Sequence, residues 1–211
     1  MKKLLVALGF ALASAGAQAD VVGANAYGSV LTGEGTQATN QKFNPTPAPA
    51  LVLPSGTNFL TGTLEAWRDG TFYATFLGSE SGFKNFYMDN GTTIVETNAN
   101  LGDTASMYVA SAGAIDFGFG TVSPAGHASI NNGDANTADL GIGFLKNVWG
   151  FKDEAGNLFD FIVGFNDDHP EHRDFDDMVM GVRFVPTPVP AALPLLATGL
   201  ALFGFSRRKS V

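Results

Sequence analysis

Apolar residues in this chain recur at every second position, in short runs separated by Gly, Asn, Asp and Pro. That spacing suits half-buried strands, and no interval between the two ends shows the 3.6-residue stripe of an amphipathic helix. The pattern predicts strands at Leu60–Trp67, Thr71–Leu77, Phe83–Met88, Thr92–Thr97, Ser106–Ala110, Ala114–Phe119, Gly141–Trp149, Leu158–Phe165 and Met178–Val185. A further strand is expected in the N-terminal piece, Asp20–Gly35. Ile115-Asp116-Phe117-Gly118-Phe119 alternates most cleanly, apolar to one side and small or polar to the other. Arg68-Asp69-Gly70 reads as a turn leading into a hairpin partner, and Asp89-Asn90-Gly91 as a second turn.

Many short strands with turn residues between them predict an all-β fold, an antiparallel β-sandwich or jelly-roll-like domain over 20–185. Pro45, Pro47, Pro49 and Pro54 mark 40–55 as a long Pro-rich loop inside it. Phe72, Phe76, Phe117, Phe119, Phe161 and Phe165 sit at alternating positions and are expected in the core. With 45% apolar residues among 211, the chain has enough to bury to offset its conformational entropy.

The formal charge of −8 excludes the basic face of a nucleic-acid binder. Between the two ends the balance is sharper: twenty acidic residues stand against seven basic ones, a formal −13. A surface of that sign repels anionic polymers and attracts divalent cations. With no cysteine, a disulfide framework, a thiolate nucleophile and a Cys-ligated zinc are all excluded.

Nine of the carboxylates fall within Asp153–Asp177. Asp167, Asp168, Asp174, Asp176 and Asp177 crowd together if the loop between the last two strands folds back on itself. Carboxylates at close quarters repel one another unless a cation intervenes. Hard oxygen ligands on a turn suit Ca²⁺, so these five are the candidate metal ligands. The plain alternative is a solvated acidic loop whose Asp side chains cap turns. The spacing is not that of an EF-hand.

Other chemistry is thinly represented. His169 and His172 flank Pro170 and Glu171, which makes a shared helical face for a transition metal improbable, and His127 stands alone beside Gly126. Ser81-Gly82-Phe83-Lys84 matches S-x-x-K on a turn-to-strand pattern, without its partner motifs. No catalytic residue is assigned, and a non-enzyme is expected. Trp67 and Trp149, at strand ends, are the aromatics whose exposure bears on sugar stacking.

The two ends are addresses. Lys2 and Lys3, the apolar Leu4–Ala15 and the small-x-small Ala17-Gln18-Ala19 make a signal peptide, 1–19, cleaved after Ala19. At the other end no charge occurs between Arg183 and Arg207. Pro186, Pro188 and Pro190 exclude a helix before about residue 190. A helix over 191–205 is about 22 Å long, a marginal membrane span. Arg207, Arg208 and Lys209 close it as a cytoplasmic stop.

Pro188-Val189-Pro190, the short Leu/Ala/Gly-rich helix and the basic terminus together resemble the PEP-CTERM sorting signal over 186–211. VPTPVPAALPLLATGLALFGF is similar to its proline–alanine variant, with Val189 where the eponymous form has Glu. The resemblance implies that an exosortase-type membrane transpeptidase recognises the proline motif and removes the tail. It implies export across the inner membrane, transient anchoring, then a place at the cell surface or in the extracellular matrix. It also implies an association with exopolysaccharide and biofilm matrix. The acidic loop followed by DFDDMV is similar to a pattern in many such proteins and in other secreted β-domains, which implies a structural role with bound metal. The sequence therefore leads to an exported, non-catalytic surface or matrix protein with Ca²⁺ as its candidate stabiliser. The alternative is a secreted carbohydrate-binding or carbohydrate-active protein, with a groove lined by Trp67 or Trp149 and two carboxylates.

Overall fold

The computed structural model describes residues 29–38, 58–147, 150–167 and 175–188. Among these lie twelve strands and no helix. They are β1 (Ser29–Ala38), β2 (Asn58–Ala66), β3 (Gly70–Gly78), β4 (Lys84–Asp89), β5 (Thr92–Glu96) and β6 (Thr104–Val109). There follow β7 (Gly113–Ala114), β8 (Phe117–Ser123), β9 (Gly126–Asn131), β10 (Gly141–Lys146), β11 (Phe161–Asn166) and β12 (Met178–Pro186). All belong to one unit, Tyr27–Pro186.

Every pairing is antiparallel. An eight-stranded sheet runs β1-β2-β10-β11-β12-β3-β6, with β7 added on β2, and a four-stranded sheet runs β5-β4-β8-β9. β11 and the first five residues of β12 are buried on both faces, so they occupy the middle of the larger sheet. The Asn90-Gly91 turn joins β4 to β5 as expected. Both of its residues have positive φ, 48° and 70°, the type I′ geometry that matches strand twist.

The expected hairpin across Arg68-Asp69-Gly70 does not form. β3 pairs instead with β12 and β6, and β2 with β1, β10 and β7. The apolar β12 needs a ladder on each side, and β3 supplies one of them over eight residue pairs. Three residues nevertheless carry the chain from β2 to β3, a reach of at most about 14 Å. In a flat sheet those strands lie four spacings apart, about 19 Å. The larger sheet must therefore curl, and the turn becomes a corner across the fold.

Inside that curl the two sheets share one core. Phe72 of β3 stacks on Phe117 of β8 at 5.5 Å, Phe117 lies 6.0 Å from Tyr87 of β4, and Phe119 of β8 stacks on Phe165 of β11 at 5.2 Å. The six phenylalanines expected in the core are all buried there. A smaller cluster, Phe59, Leu145, Phe159, Ile162, Phe175 and Val179, occupies the opposite face of the larger sheet.

β9 escapes the period-two reading because its exposed Gly126, His127, Ala128 and Ser129 leave Ile130 as its buried residue. The strand expected from Leu158 begins at Phe161, and the one expected to reach Trp149 ends at Lys146. The signal peptide with Ala17 and Ala19, the 40–55 loop, Trp149, the helix 191–205 and Arg207, Arg208 and Lys209 lie outside the described residues. Among the described residues no helix is long and apolar enough to cross a membrane.

Candidate functional site

Three acids of the segment share one corner, where the end of β11 and the start of β12 meet the connection from β3 to β4. Asp167, Asp176 and Asp177 are all buried. The Asp167 N–H donates to Asp177 Oδ2 at 2.8 Å, so the Asp177 carboxylate is tied to the backbone at the end of β11. The Glu80 N–H donates to the Asp176 carbonyl at 2.9 Å, and Ser79 Oγ donates to the Asp177 carbonyl. Asp167 Oδ2 accepts from Ser81 Oγ and from the side-chain amide of Asn85, which also donates to the Asp177 carbonyl at 3.1 Å. Asp168 and Asp174, with His169 and His172, lie outside the described residues. Among the described residues no three His, Asp or Glu side chains form a metal-sized group.

Phe175 fixes the way the chain enters this corner. It has φ of 59°, a left-handed conformation that costs a bulky residue about 1–2 kcal/mol. Packing holds it there: its ring is fully buried and stacks on Phe59 at 5.0 Å. Its backbone carbonyl lies where a side chain at position 164 would project, so only glycine fits at Gly164. With Phe175 pinned to one face of the sheet, Asp176 and Asp177 turn back toward β3 and β4.

Asn85 belongs to the four-stranded sheet and faces inward beside its cross-strand partner Thr121 of β8. Both are buried, Asn85 completely. Asn85 Oδ1 and Thr121 Oγ1 have no hydrogen-bond partner among the described residues. Sequence reasoning missed this pair. In Lys84-Asn85-Phe86-Tyr87-Met88-Asp89 each alternate face carries apolar residues, so alternation does not say which face holds the Asn.

The same inward face carries a second buried acid at the far end of β4. Tyr87 O–H donates to Asp89 Oδ1. Burial pushes the Tyr87 hydroxyl well above its usual value, and the Asp89 charge and hydrogen bond add to this. Burial also raises the Asp89 carboxyl; the Tyr87 hydrogen bond lowers it, and the neighbouring Asp116 charge raises it again. At the surface, Asp153 is lowered. Desolvation is the largest single influence and pushes it up, but hydrogen bonds from Asn157 and Ala155 and the Arg183 guanidinium, 3.6 Å away, together prevail.

The remaining candidates are dispersed. Trp67 is 41% exposed with the Arg68 guanidinium 5.2 Å from its ring centroid. A cleft of about 560 Å³ is lined by Thr93–Glu96, Asn98, Ala99, Asp103 and Thr104, with no aromatic residue among them. Its Glu96 is tied to Lys84 at 2.9 Å, and its Asp103 accepts the Asn100 N–H at 2.9 Å. Ser81 serves the acidic corner, and His127 is exposed on β9. Pro186 ends β12 opposite Gly70, Pro188 is exposed, and Val189 and Pro190 lie outside the described residues. Comparison with protein-family models, curated proteins and solved structures returns no match.

Proposed function

We propose that this chain is an exported, non-catalytic structural protein of the cell surface or extracellular matrix, sorted by an exosortase-type transpeptidase and stabilised by Ca²⁺ at its acidic corner. In this reading the signal peptide 1–19 is removed on export, and a body of the jelly-roll-like sandwich kind folds outside. The helix 191–205 tethers it to the membrane until the tail is cut, and exopolysaccharide is its surrounding partner.

The observation that carries the reading is the junction at Pro186. The last paired residue of β12 is Pro186, the first residue of the proposed sorting motif, so a cut beyond it leaves the ladder intact. A structural body is further supported by the placement of eight of its phenylalanines in the core that the two sheets share. Oxygen donors of the acidic segment gather within a corner spanning both sheets, as a hard cation requires.

The intact mass of the protein recovered from the cell exterior tests the address. The expected species begins at Asp20 and ends near the proline motif, and replacing Pro188 and Pro190 by Ala leaves a full-length, membrane-retained form. Recovery of Met1, or unchanged release of the double variant, would count against it.

A further inference from the structure

Four asparagines of the fold clamp other segments, and three of them use both ends of the amide. Asn132 accepts from the Leu64 N–H and donates to the Leu64 and Ile115 carbonyls. Asn136 accepts from and donates to the backbone of Ile142. Asn147 accepts from the Phe151 N–H and donates to the Phe151 and Phe159 carbonyls. Asn85 is the exception: it donates to Asp167 Oδ2 and the Asp177 carbonyl, while its oxygen has no partner among the described residues. Exchanging its two amide atoms gives no relief, because the oxygen would then face a carboxylate and a carbonyl, and the donor would be stranded.

A fully buried amide oxygen without a donor costs about 1–3 kcal/mol. Beside it, Thr121 Oγ1 is in the same condition on the paired strand. Two neutral oxygens that lack donors, on the rim of a carboxylate corner, lack what a hard cation supplies. Ca²⁺ accepts amide, hydroxyl and carboxylate oxygens together in a flexible shell of about 6–8 ligands.

We propose that Asn85 Oδ1 and Thr121 Oγ1 are the four-stranded sheet's ligands to a divalent cation of the Ca²⁺ class, held against Asp167 and the Asp176–Asp177 turn of the larger sheet. This rests on the Ca²⁺ reading above and deepens it. The ion joins the two layers, beyond ordering a surface loop. Asn85 combines two jobs in one planar group, its N–H holding the Asp167 carboxylate in place and its oxygen facing the ion. Mg²⁺, which demands near-octahedral geometry and dehydrates reluctantly, fits such a mixed and partly neutral set less well.

The test is a Ca²⁺ titration of the mature protein after chelation, followed by melting temperature, with Mg²⁺ in parallel. Ca²⁺ raises the midpoint of the wild type. The Asn85→Leu, Thr121→Val double variant needs about tenfold or more Ca²⁺ for the same rise. Asn85→Asp guards against a variant that merely folds poorly. Without cation, its new charge and lost N–H donor beside Asp167 lower the midpoint, and Ca²⁺ raises it by more than it raises the wild type. If the double variant titrates like the wild type while Asp167→Asn loses the response, the cation sits without β4 and β8, and this inference falls while the Ca²⁺ reading stands. An Asn85→Asp midpoint that Ca²⁺ raises no more than it raises the wild type's also overturns it. A wild type indifferent to Ca²⁺ overturns both.

Discussion

β4 holds a buried polar group against carboxylates at each of its ends, and the two ends solve the problem differently. At Asn85 the neighbouring acids are met by neutral donors: the Asp167 carboxylate by a hydroxyl and an amide, and the Asp177 carboxylate by a backbone N–H. At Asp89 the carboxyl itself is buried against one phenol, with the Asp116 charge nearby, and burial pushes it above its ordinary value. Donors aimed at a carboxylate stabilise its charge, whereas burial beside a like charge works against it. One end is built for ionised oxygens and the other tolerates one at a cost.

The largest effect expected from disturbing this contrast comes from Phe175, which aims the acidic turn. Phe175→Ala should lose about 3–5 kcal/mol of stability in denaturant unfolding. Phe175→Gly should be the more stable of the two small variants, because glycine removes the left-handed strain of about 1–2 kcal/mol. The opposite order would mean that the backbone there is relaxed.

Next in size, Asp167→Ala should cost about 1–3 kcal/mol by stranding the Asn85 amide and the Ser81 hydroxyl. In the same unfolding assay, no loss would show that these groups find water instead.

At the other end the sign reverses. The Asp89 carboxyl is raised in the folded state, so above that raised value the folded protein is penalised for ionising it. Asp89→Asn keeps an acceptor for Tyr87 and should raise the melting temperature at neutral pH. The gain should shrink on acidification and vanish below the usual carboxylate range. A gain independent of pH would assign the effect to something other than charge.

The smallest effect belongs to Asp153, whose carboxyl is lowered and therefore stabilises above the usual carboxylate range and fades as the pH falls through its folded value. Asp153→Asn should cost about 0.2–1 kcal/mol, less at high salt, because the pair with Arg183 is near the surface. A larger or salt-independent loss in denaturant unfolding would give this pair a structural role.

Much of the fold was legible because alternation is a local property. Phe117 and Phe119 reveal their face through the single Gly118 between them, and Asn90-Gly91 specifies a turn by its own φ values. Sheet order is not local. Arg68-Asp69-Gly70 has the composition of a hairpin turn, yet which strands flank β3 depends on the burial of β12, more than a hundred residues away. β9 was missed because an edge strand needs few apolar residues. Of the acidic corner, the gathering of Asp167 with Asp176 and Asp177 was legible as charge density. The contributions of Ser79, Ser81, Asn85 and Thr121 were not, since each comes from a strand or turn far along the chain and none carries a charge.

β12 lies between β11 and β3, hydrogen-bonded on both sides, and it is the strand that leads to the proposed tether. A pull arriving through Pro186 acts along that strand and must slide two ladders at once, sharing the force among many bonds in shear. Had the chain left from the rim, as β6 or β9 would, bonds could be peeled one after another under far smaller tension. A body hung this way should bear drag from flowing water or a contracting gel without unravelling from its point of attachment.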